Sequence, residues 1–187
     1  MGTLGIRTVG VGGTVRWRRL AYERGLTLIE LMTTLSVLVI SLALAAPALT
    51  SFVRGNRLMA AQSDLVSSLM LARSEAARQG ASVGVEALLP LADGGFANGW
   101  RVWVDANGNG SYDDGESVLR EVPGHGAALT ITPTPGVRQV VFGSNGFLVG
   151  TSAVTFSVCE QAGAAKGYRV LLQPVGLSDV SEVTTCP

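Results

Sequence analysis

Residues 24–37 read RGLTLIELMTTLSV, and Glu30 is the residue in them that needs explaining. From Leu26 to Thr50 the chain carries no other charge, and about 20 apolar residues suffice to cross the hydrocarbon of a bilayer as a helix. A carboxylate at mid-bilayer costs about 2.5–3.5 kcal/mol on insertion scales, so a spanning helix that keeps one normally provides it with a partner. The stretch predicts a transmembrane helix that is also built to meet something.

Working upstream, Arg7, Arg16, Arg18, Arg19 and Arg24 against Glu23 give residues 1–25 a net charge of +4. The rest of a formally neutral chain is left with −4. A basic flank directly before an apolar run holds that end in the cytoplasm and exports the chain beyond the run. A cleaved secretory signal is the competing reading, and LALAAPA at 42–48 offers it the small residues of a cleavage site. Glu30 within the apolar run, and an amphipathic continuation beyond Pro47, argue instead for a helix that is retained.

Downstream the helical pattern persists. Pro47 should kink it or unpair a turn, because proline lacks the N–H and crowds the preceding carbonyl. Beyond Gly55, RLMAAQSDLVSSLMLARSEAARQG places Leu58, Leu65, Leu69, Ala72 and Ala76 on one face. Arg57, Asp64, Arg73, Glu75 and Arg78 lie mainly off that face, with Arg73 and Glu75 expected in solvent. Gly80 is the natural stop. A single helix from about Leu26 to Gln79 is the simplest reading, half in lipid and half on a domain.

After Gly80 the apolar period becomes two, with Gly, Pro and Asn as punctuation, which predicts antiparallel strands at 82–88, 100–105, 117–122, 127–132, 138–142, 146–149, 153–159 and 168–173. In GWRVWVD, Trp100, Val102 and Val104 face one way and Arg101, Trp103 and Asp105 the other. GSNG at 143–146 supplies a tight turn. The expected fold class is α+β: a long N-terminal helix packed on a C-terminal antiparallel sheet or two-sheet sandwich. The expected division is a leader at 1–25, a membrane helix at 26–50 and an exported domain at 51–187. With 187 residues, 47% of them hydrophobic, one modest core is enough. Cys159 and Cys186 suit an oxidising compartment, where pairing would stabilise the fold by roughly 3–4 kcal/mol. Two buried free thiols are the alternative.

Few residues invite chemistry. DANGNGSYDDGE fits the calcium-loop pattern, with Asp105, Asn107, Asn109, Gly110 and Glu116 in place and Asp113 at the often water-linked position. Calcium is therefore the one candidate ion. Strands rather than helices flank the loop, and the same residues also make ordinary metal-free turns. His125 is the sole histidine and reads as a solvated loop residue. No nucleophile elbow, zinc cluster or phosphate loop accompanies it, so the chain reads as a non-enzyme. Trp100 and Trp103 read as packing residues, with a partner-facing Trp103 as the alternative.

RGLTLIEL resembles the type IV prepilin motif, together with the basic leader, the apolar run and Pro47. LARSEAARQG, GWRVWVDANGNGSYDDGESVLR and VVFGSNGFLVGT are similar to the GspH/FimT type of minor pilin or pseudopilin. That resemblance implies a lollipop-shaped subunit of a type II secretion pseudopilus or type IV pilus. It implies cleavage after Gly25 by a prepilin peptidase and methylation of Leu26, where the family usually has Phe. It also implies a single-pass protein of a bacterial inner membrane with its domain in the periplasm, assembling with other pilin subunits through Glu30 and the methylated amine of a neighbour. A pilus-tip DNA receptor for natural transformation is the alternative within the same resemblance. Its Gly-Arg-x-Arg motif reads GLSD at 176–179, however, leaving Lys166 and Arg169 as weak DNA-contact candidates on a domain of net negative charge, which argues against nucleic acid.

Overall fold

The computed structural model describes residues 25–89, 95–126, 129–150, 152–160 and 166–186. They fall in two compact units, Met1–Leu44 and Ala45–Pro187. One helix, α1 (Leu28–Gln79), passes through both.

Thr27 opens α1. Its carbonyl accepts the first helical hydrogen bond, from the Leu31 amide (3.1 Å), and its hydroxyl accepts one from the Glu30 amide (3.3 Å). This is the N-cap geometry, and Thr27 with Glu30 three residues on forms the T-x-x-E pattern of a capping box. The helix thus begins two residues later than the apolar run alone suggests. Every described side chain from Gly25 to Leu44 is exposed. The hydroxyls in this stretch turn back on their own helix: Thr33 donates to the Glu30 carbonyl, Thr34 to Leu31, Ser36 to Met32 and Ser41 to Val37, at 2.8–2.9 Å. Such bonds satisfy polar groups that an apolar medium would leave without partners. The backbone of α1 continues through Pro47 and Gly55 without interruption; the Pro47 ring lies outside the described side chains.

In the second unit α1 becomes one-sided. Leu58, Ala61, Leu65, Leu69, Ala72 and Ala76 are buried, and they repeat at the three-and-four spacing that keeps one face against a core. Gly80 ends the helix with φ 65°, its amide bonded to the Ala76 carbonyl at 3.0 Å.

Among the described residues eight strands come after it, in two four-stranded sheets. The first contains β1 (Ser82–Ala87), β2 (Gly99–Asp105), β3 (Val118–Pro123) and β5 (Gln139–Phe142), in the order β3-β2-β1-β5. The second contains β4 (Thr130–Thr134), β6 (Val154–Cys159), β7 (Gly167–Leu172) and β8 (Ser178–Val183), in the order β4-β6-β7-β8. All strand pairs are antiparallel. Val83, Val85, Trp100, Val102 and Phe142 from one sheet, and Ile131, Phe156, Val158, Val170 and Leu172 from the other, join the helix stripe in one core. Cys159 and Cys186 form a disulfide that lies over Gly167, where a Cβ would come within 2.6 Å of the Cys186 sulfur.

Two strand expectations change. Residues 146–149 make a tight return beside β5, with a single bridge between Phe142 and Leu148, rather than a strand. SDVSEV forms β8, which the sequence reading omits because most of its side chains are exposed and no apolar alternation marks it. Its place comes from register with β7.

Truncating the stripe should be costly. Leu65→Ala is expected to lower unfolding free energy by about 2–5 kcal/mol in urea denaturation, whereas Val180→Ala on β8 should stay within about 0.5 kcal/mol. Equal effects would place the core elsewhere.

Candidate functional site

The residues singled out in the sequence fall at three places. The first is the start of α1, where Gly25 and Leu26 are exposed and lie outside the helix ahead of the Thr27 cap. Glu30 occupies the third helical position, in the first turn, where the partial positive charge of unbonded backbone amides favours a carboxylate. This local reason for its tolerance is legible in T-x-x-E, a signal the reading of the apolar run passes over.

The second place is the loop between β2 and β3. Asp105, only 4% exposed, accepts backbone hydrogen bonds from Gly108 and Asn109 on one oxygen (2.7 and 3.1 Å) and Gly110 on the other (2.9 Å). Glu116 accepts from the Ala106 and Asp113 amides at 2.9 and 3.0 Å. Asn107 and Asn109 direct their side-chain amides at Asp113, at 2.8 and 2.7 Å. The sequence-predicted ligand set is therefore brought together as a self-bonded turn. Amide donors point where a cation would require oxygen ligands, and among the described residues no group of three His, Cys, Asp or Glu side chains could hold a metal. These residues do not fit a calcium site in this arrangement.

The loop folds back over the outer face of the first sheet. The Gln139 side-chain amide donates to the Gly110 carbonyl. Tyr112 meets Trp103 edge-on at 5.9 Å, and the Arg101 guanidinium sits 3.9 Å above the Tyr112 ring. Trp103 does face away from the main core, but this cover buries it completely, which removes the partner-facing alternative. Gly84 makes room for the indole, since a Cβ there would lie 2.6 Å from two ring atoms. Beside it Glu86, 5% exposed, pairs with Arg101 (3.2 Å) and Arg138 (2.8 Å). The two guanidinium groups offset part of the cost of burying the carboxylate.

The third place is the start of β7. Lys166 and Arg169 are exposed there, and neither has an ion pair among the described residues. Arg54 of α1 pairs with Glu160 nearby, at 3.3 Å. Leu177 and Asp179 belong to the β7–β8 hairpin and add no cation.

Two expectations of solvation are corrected. Arg73 is partly buried: its Nε donates to the Gly146 carbonyl (3.3 Å), and its chain packs against Gly146 and Gly176, two turns too close for a Cβ at 176. His125 is also largely covered, stacked on Trp100 at 5.7 Å and bonded through Nε2 to Asp64 at 3.1 Å. Arg120 joins the same carboxylate and Ser67, so the cluster ties α1 to the β3 region. The imidazole is thereby held between the Trp100 ring and the Asp64 carboxylate. On the helix surface, hydrogen bonds from Arg78 and Gln79 hold the Glu75 carboxyl below the usual carboxylate range.

A capped apolar helix leading into an amphipathic half that packs on antiparallel sheets defines the pilin class of α+β protein. Residues 61–176 match the family described as type II transport protein GspH, and the chain belongs to that family. Over 96 residues it is 40% identical to the pilin-like protein PilA1 of Thermus thermophilus, a match spanning 50% of this chain and 56% of that protein. Among solved structures it resembles the type IV minor pilin FimU of Pseudomonas aeruginosa, with a TM-score of 0.58 and 26% identity. That likeness covers 73% of this chain and 99% of the other. A second crystal form of FimU gives 0.56 over 70% of this chain and supports the fold. The protein is a minor pilin or pseudopilin, a structural subunit of the type IV pilus or type II secretion kind.

Because Asp105 organises three amides, Asp105→Ala is expected to destabilise the fold by about 2–4 kcal/mol, while Asp114→Ala on the same loop stays within about 0.5 kcal/mol. Thermal unfolding with calcium and with chelator should give the same midpoints. A calcium-dependent rise for the wild type would restore the metal reading.

Proposed function

We propose that the chain is made with a leader at 1–25, inserted through the apolar first half of α1, cleaved after Gly25, methylated on Leu26 and incorporated into a filament. The observation that carries this reading is the start of α1. Gly25 and Leu26 are outside the helix and accessible, as a protease substrate must be, and the Thr27 cap comes at once after them with Glu30 in the first turn. Cleavage there would leave a new amine one residue before a helix N-terminus, adding positive charge where the helix already has its own. Glu30 is the only carboxylate within reach along that segment. In low dielectric the pairing of this acid with a neighbouring subunit's amine offsets much of the cost of burying either charge.

This reading places the basic leader in the cytoplasm, α1 in the inner membrane and the disulfide-bonded domain in the periplasm, with prepilin peptidase and other pilin subunits as partners. The one helix among the described residues that is long and apolar enough to cross a membrane fits such an anchor. Nothing in the described residues favours the DNA-receptor alternative: the GLSD turn supplies no cation of its own, and Lys166 and Arg169 lie toward the opposite end of β7.

Mass spectrometry of the chain purified from cells that contain a prepilin peptidase tests the proposal. The expected N-terminal peptide begins at Leu26 and is one methyl group heavier than its sequence. An uncut leader, or a start beyond the apolar run, would contradict it.

A further inference from the structure

Among the described residues, the exposed charges outside ion pairs differ between the two ends of the second unit. Asp105 pairs with Ser82, three residues beyond the end of α1, so the acidic loop with Asp113, Asp114 and Glu116 lies at the end of the domain where the helix stops. Cations gather at the other end. Arg54 and Arg57 are exposed on α1 and come directly after Leu49, Phe52 and Val53, the last exposed apolar residues of the run. The Arg54–Glu160 ion pair fixes the end of β6 at the same level of the helix. Because Cys159 is opposite Gly167 in the β6–β7 register, Lys166 emerges beside Glu160. Arg169, opposite Ser157, projects from the outer face of β7. Among the described residues Glu182 is the other acid at this end, but it is registered with Tyr168, whose side chain packs toward the core, and so belongs to the face opposite Arg169. Glu160 is already engaged by Arg54. Arg57, Lys166 and Arg169 remain as exposed cations with no ion pair among the described residues.

The position of this group along the chain says what it faces. The run from Leu26 to Val53 exceeds the roughly 20 residues needed for the hydrocarbon and is long enough to reach the polar layer beyond it. Residues one and four places past Val53 therefore fall at headgroup level. We infer that Arg57, Lys166 and Arg169 form a contact with anionic lipid headgroups, which seats the base of the domain on the membrane while the acidic loop is turned away. The inference rests on the membrane-anchored reading above. Each basic side chain near an anionic surface adds about fivefold to the preference for it, and the attraction should weaken as salt shortens its range from about 10 Å at 0.1 M to about 3 Å at 1 M.

Lys166 is the only lysine in the chain, so an uncharged amine-acylating ester reports on it directly. The full-length chain is placed in vesicles of phosphatidylcholine alone, or with one-third phosphatidylglycerol, and acylation of the Lys166 peptide is monitored by mass spectrometry. Acylation should be at least about threefold slower in the anionic vesicles, should recover in high salt, and should recover in the R57Q/R169Q double variant. Equal rates in the two vesicles would overturn the inference, as would protection that the double variant leaves intact. Protection in both vesicles that disappears at one chain per vesicle would assign Lys166 to a contact with a second copy, and would overturn it too. A chain stripped from both vesicles by an alkaline wash would instead refute the membrane anchor on which the inference is built.

Discussion

The proposed assembly of this chain depends on the first turn of one helix. A helix N-terminus carries about half a positive charge on its unbonded amides, and in an apolar medium that charge must be answered within the protein. Thr27 answers part of it with its hydroxyl, and Glu30 stands three residues on, where a carboxylate is favoured. The same placement makes Glu30 available to an amine brought to that level by another subunit. The acid thus has a reason to exist within one chain, and the proposed function gives it a second, intermolecular use.

Past that turn, α1 keeps its conformation while its surroundings change. Its first stretch hides its hydroxyls in backbone bonds and exposes apolar side chains on all sides. Its later stretch buries a narrow stripe in which Ala61, Ala72 and Ala76 let the sheets approach closely. The sheets are then tied to the helix by polar contacts off that stripe: Asp64 with Arg120 and His125, Arg73 with Gly146, and Arg54 with Glu160. Apolar packing supplies most of the stabilisation, and these side chains set where along the helix each turn is fastened.

The features readable in the sequence are the ones that repeat. The stripe at Leu58, Leu65, Leu69, Ala72 and Ala76 and the alternation in GWRVWVD declare their elements through period alone, and β4, β6 and β7 alternate between buried and more exposed residues in the same way. β8 has no such mark, because an exposed edge strand is placed by register with its neighbour. Arg73 and His125 read as solvated since a charged or polar residue off the apolar stripe usually is; only the fold shows two turns closing over one and a tryptophan stacking on the other. In the β2–β3 loop the pattern of oxygen-bearing residues is correctly located. Whether those oxygens face an ion or backbone amides depends on the path of the chain, which residue spacing leaves open. Glu86 gives no signal at all, as its two arginines, Arg101 and Arg138, are far away in sequence.

The most direct measurement separates insertion from assembly. In cells that build the filament, Glu30→Ala should leave the chain in the membrane fraction with its Cys159–Cys186 disulfide formed, yet remove it from sheared filaments. If Glu30→Ala enters filaments as the wild type does, the carboxylate serves the helix start alone, and assembly through it is contradicted.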